Sequence, residues 1–66
     1  MVDELDTYRA AQVLIEQHGD KASIHAAMRA DEMLDKGDLD GAAIWRRIIK
    51  AIEALAAVER EEAQLH

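Results

Sequence analysis

Sixty-six residues carrying 14 acidic and 8 basic side chains give a net charge of −6, a field that repels nucleic acid unless a concentrated basic patch is present. There is no cysteine, which excludes disulfides and removes the usual soft ligands of structural zinc. Half of the residues are apolar, yet there is one Trp, one Tyr and no Phe, so alanine and medium aliphatics must build the core of a single small domain over residues 1–66.

Proline is absent and the only glycines are Gly19, Gly37 and Gly41. Helix breakers therefore concentrate in two Gly-Asp steps, Gly19-Asp20 and Gly37-Asp38. Each sets the residue that best ends a helix before one that best starts the next. The expectation is an all-α, three-helix unit, with helices over about 4–18, 21–36 and 39–63, tight turns and a longer third helix.

In the first segment Asp3 is placed to cap the helix, and Glu4 and Asp6 lie at the positive end of its dipole. Tyr8, Ala11, Leu14, Ile15 and His18 recur at spacings of three and four and mark one face. Gly19 then reads as the residue just past the helix end, and Asp20 as the cap of the next helix. The second segment has a narrow, small-sided seam of Ala22, Ala26, Ala27, Ala30, Met33 and Leu34. Glu32 and Lys36 form a favourably ordered i, i+4 pair near its end.

The third segment carries Leu39, Ala42, Ile44, Trp45, Ile48, Ile49, Ala51, Ile52, Leu55, Ala56 and Val58. That set is wider than a single stripe against two helices requires. Its last turns, Glu59-Arg60-Glu61-Glu62, are polar. The monomer balance is also close: ordering the chain costs roughly 100 kcal/mol. Size scaling for 7.4 kDa gives about 3,900 Å² of buried apolar surface, or roughly 100 kcal/mol in return. Both facts predict a helical homodimer through helix three, with Trp45, Ile48, Ile52, Leu55 and Val58 as the candidate interface.

Candidate chemistry is sparse. In Lys36-Gly37-Asp38-Leu39-Asp40-Gly41 the acids and glycine fall at calcium-loop positions three, five and six. Lys36 and Arg47 then occupy positions one and twelve, where calcium needs carboxylates, so capping explains Asp38 and Asp40. His18 and His25 are separated by the Gly19-Asp20 turn and lack helix-ligand spacing; no metal or cofactor is expected. Arg46, Arg47 and Lys50, with Arg29 nearby, make the one basic cluster. It reads as a solvated face pairing with carboxylates such as Glu53. Trp45 reads as a core anchor of an aromatic-poor domain. Thr7 and Ser23 sit near helix starts, where local capping accounts for them. No nucleophile constellation exists, and an enzyme is not expected.

The acidic start, Met1-Val2-Asp3-Glu4, is unlike a secretory leader, and no apolar run nears membrane-spanning length. The location expected is the cytoplasm. The two junctions lie 18 residues apart, and the pattern around them is similar to the turns of tetratricopeptide-like repeats.

With Tyr8, Ala11, Leu14, Ile15, His18-Gly19, Ala26, Arg29, Ala30, Gly37-Asp38, Gly41, Trp45, Ile48, Ile52 and Leu55 in view, residues 6 to 56 resemble a family of short alphaproteobacterial proteins. That family is catalogued as a domain of unknown function. The resemblance implies a small, all-helical, cytosolic bacterial protein and brings no activity, ligand or functional residue with it. The function expected is a self-associating protein–protein interaction or regulatory module. The alternative is a helix-turn-helix nucleic-acid-binding regulator using Arg46, Arg47 and Lys50, and a third is a carrier of a small ligand or metal.

Overall fold

The computed structural model describes residues 4–64, with side chains described over 4–61. Asp3, read above as the first cap, lies outside the described residues. Helix α1 spans Glu4–His18, a 3-10 turn covers Gly19–Lys21, α2 spans Ala22–Asp35 and α3 spans Leu39–Gln64. No strand occurs among the described residues, and the chain is all-α. With no proline to interrupt them, α1 and α2 end where Gly19 (φ 60°) and Gly37 (φ 76°) enter the left-handed region that suits glycine.

The two Gly-Asp steps fold differently. At the second, Asp38 N–H donates to the Met33 carbonyl (2.8 Å) and Gly37 N–H to the Leu34 carbonyl (3.0 Å). These are the paired bonds that satisfy the last carbonyls of α2. The Asp38 side chain then accepts from Gly41 N–H at 2.8 Å, and its carbonyl accepts from Ala42 N–H at 3.1 Å. One dipeptide thus closes α2 and opens α3, as the sequence suggested.

At the first step Asp20 does not cap α2. It lies inside the 3-10 turn; Lys21 occupies the cap position with φ −93° and ψ 3° and makes no side-chain cap bond. Side-chain capping needs an extended cap residue, and here the chain passes from Gly19 straight into helical turns. The Ala22 N–H is met by the Gly19 carbonyl, so the donor a carboxylate would have taken is already used. The expected Glu32–Lys36 pair is also replaced: Glu32 accepts from Arg29 at 3.1 Å, one turn earlier on the same helix.

Both shorter helices pack chiefly on α3 rather than on each other. The Met33 sulfur lies over Gly41, while Ser23 shares a groove with Ala56 and Glu59, so α2 runs back antiparallel along α3. Thr7 and Tyr8 face Arg47 and Ala51, and Ile15 faces Ile52, so α1 runs parallel to α3 on its other flank. This straddling explains the wide apolar sector of α3, which serves two neighbours at once.

Nine apolar side chains are buried among the described residues: Ala11, Leu14, Ala22, Ala26, Ala30, Ala42, Ile48, Ala51 and Ile52. Six of the nine are alanine, and no large side chain is completely enclosed. Each buried methyl contributes about 0.8 kcal/mol, against about 1.5–3 for Leu14, Ile48 or Ile52. Ala22, Ala26 and Ala30, one turn apart, allow α2 to lie close, at the cost of little buried area. The result is elongated, 46 × 23 × 16 Å with a radius of gyration of 12.7 Å, where a compact chain of this length has about 11 Å.

Candidate functional site

The five residues expected at an interface occupy three different environments. Ile48 and Ile52, 6% and 5% exposed, belong to the protomer's own core, and Trp45 and Leu55 are half-buried against that core. Val58, 52% exposed, is the one of the five that faces solvent freely. Other exposed aliphatics lie on α2, where Ile24 and Met28 are 62% and 58% exposed and one turn apart. These two were missed in the sequence because the alanine seam drew attention to the opposite face. Plotting that seam as a wheel around Ala22, Ala26 and Ala30 would have found them.

Thr7 is buried although it sits in the second turn of α1. It faces α3 across the helix pair, a role that spacing from the helix start did not indicate. Ser23 is half-buried and lines the groove against Ala56 and Glu59.

The histidines are brought together. The His18 and His25 rings stack with centroids 4.1 Å apart and planes 20° from parallel. The left-handed Gly19 and the 3-10 turn fold α2 back so that the last residue of α1 meets the fourth residue of α2. Among the described residues no group of three or more His, Asp or Glu side chains converges as a metal site would require.

Two open grooves flank α3. One, of about 600 Å³, has an apolar floor of Ile15, Ile52 and Ala56 under the α1–α2 turn, with Asp20, Glu53 and Glu59 at its edges. The other, of about 350 Å³, lies between the first turns of α1 and the middle of α3. Glu4, Thr7 and Tyr8 line one wall, and Arg47, Lys50 and Ala51 the other.

Arg46, Arg47 and Lys50 are exposed as expected. Among the described residues none of them pairs with Glu53 or with any other carboxylate; the ion pair that forms is Arg29–Glu32. Asp38, weighed above as a metal ligand, is committed to the cap. No helix among the described residues is long and apolar enough to cross a membrane. Comparison with protein-family models, with curated proteins and with solved structures finds no match.

Proposed function

We propose that the chain is a small self-associating interaction module: a three-helix unit that forms a cytoplasmic homodimer through the C-terminal half of α3 and has no catalytic activity of its own. The supporting observation is surface area. The protomer exposes 5,128 Å², whereas a compact protein of this mass exposes about 4,200 Å². The excess of roughly 900 Å² matches the ~800 Å² that each partner contributes to a stable interface of standard size.

The groove floored by Ile15, Ile52 and Ala56 supplies the concave part of this surface, and Leu55 and Val58 continue it along α3. In this reading Ile48 and Ile52 support the interface from beneath, and Trp45 flanks it. The resemblance to short bacterial proteins without assigned activity belongs to the same proposal. The helix-turn-helix alternative has less support. There the second helix of the pair crosses the first at about 90–120°, whereas α2 lies antiparallel along α3. The net charge of −6 opposes duplex binding as well.

Light scattering behind size exclusion tests the proposal. The expected species at tens of micromolar has twice the 7.4 kDa chain mass. Val58→Glu returns it to monomer with helicity retained, since Val58 is half-exposed in the protomer. A wild-type monomer under these conditions overturns the reading.

A further inference from the structure

From the smaller groove we infer a binding site for a small organic acid that carries a hydrogen-bond donor, such as an amino group, a few atoms from its carboxylate. The groove brings four polar side chains together: Glu4 and Tyr8 from α1, and Arg47 and Lys50 from α3. Among the described residues none of the four has a hydrogen-bond or ion-pair partner. Glu4 shares the groove with two cations yet pairs with neither. Opposite charges therefore face each other across a gap that a ligand can bridge.

The charge pattern selects the ligand class. Arg47 and Lys50, three residues apart on one helix face, present a guanidinium fork and an ammonium to the same space. This pair suits a carboxylate, which accepts two hydrogen bonds in a plane. Glu4 lowers the groove's net charge to about +1, which disfavours multiply charged phosphates relative to a single carboxylate. The Glu4 carboxylate in turn asks for a donor at the ligand's far end. Tyr8, 36% exposed, offers its ring as a wall and its hydroxyl to either end. A volume of about 350 Å³ falls at the lower end of small-molecule sites. The residues of this groove are distinct from those of the proposed dimer surface.

Amide chemical-shift titration of the full chain with three probes tests it: 4-aminobutyrate, butyrate as the same acid without the donor, and butylamine as the donor without the acid. The expected result is saturable shifts at Thr7, Tyr8 and Ala51 with 4-aminobutyrate, weaker shifts with butyrate and none with butylamine. Arg47→Ala, at an exposed position, weakens 4-aminobutyrate binding roughly tenfold, as loss of a charge-assisted contact does. Glu4→Gln brings 4-aminobutyrate down to the level of butyrate and leaves butyrate unchanged. Absence of saturable shifts, equal responses to 4-aminobutyrate and butyrate, or an unaffected Arg47→Ala variant would each overturn the assignment. Light scattering on the same samples keeps this outcome distinct from the fate of the dimer.

Discussion

Replacing Gly41 by alanine should fail to stabilise this protein, although a helical Gly→Ala change ordinarily gains about 0.8–1.0 kcal/mol. Gly41 is the third residue of α3, and its φ lies outside the left-handed region, so the backbone itself accepts alanine. The obstacle is the cap. A Cβ at Gly41 would lie 2.6 Å from Asp38 Oδ2, 2.9 Å from its Cγ and 3.1 Å from the Met33 sulfur. The sulfur ends a flexible side chain and can yield. The carboxylate is held by the 2.8 Å bond from Gly41 N–H and can make room only by rotating out of that bond. Losing an N-cap costs about 1 kcal/mol, which cancels the propensity gain.

A double-mutant cycle isolates the effect. Asp38→Ala alone should cost about 1 kcal/mol. In that background the cap and the crowding are both gone, so Gly41→Ala should stabilise by about 0.8 kcal/mol. The coupling is then about 1 kcal/mol, well outside the additivity expected of independent sites. For a domain of this size it corresponds to about 4–8 °C in melting temperature. Far-UV circular dichroism at one fixed protein concentration is the assay, since self-association makes the midpoint concentration-dependent. If Gly41→Ala raises the melting temperature equally with and without Asp38, the reasoning is refuted.

Two further outcomes follow from the same structure. Gly37→Ala and Gly19→Ala should each cost about 1–2 kcal/mol through backbone strain alone, because nothing lies within 4 Å of a Cβ at either position; urea denaturation showing no loss would contradict the left-handed turns. Ile48→Ala should cost about 2–5 kcal/mol, while Ile24→Ala, 62% exposed, should change protomer stability by less than about 0.5 kcal/mol; similar urea midpoints for the two would mean the burial pattern is wrong.

Much of the helical layout was legible because glycine and proline punctuate so clearly here. With no proline and glycine confined to the two junctions and the start of α3, the helix limits followed within a residue or two. The core was legible in part. Ala11, Leu14, Ala22, Ala26, Ala30, Ile48 and Ile52 recur at helical spacing and are buried, but Ala27 and Leu34 share the spacing and are exposed. Periodicity identifies a face; it does not say how much of that face a neighbour covers. The histidine stack and the smaller groove were not legible, because each joins side chains from different helices and depends on how α1 lies against its neighbours.

The first Gly-Asp step marks the limit most clearly. Two identical dipeptides predicted two identical caps, and one of them formed. The residue three positions after the aspartate differs: Gly41 follows Asp38, but Ser23 follows Asp20. At the second junction the carboxylate lies where a Cβ on residue 41 would sit, so this cap forms against a glycine. The first junction satisfies its donor through the backbone instead and turns without an extended residue. That tighter turn swings α2 back until His25 meets His18, and it leaves α1 to pack on α3 from the other flank. The elongated shape follows from α3, whose 26 residues outrun the 15 of α1 and the 14 of α2.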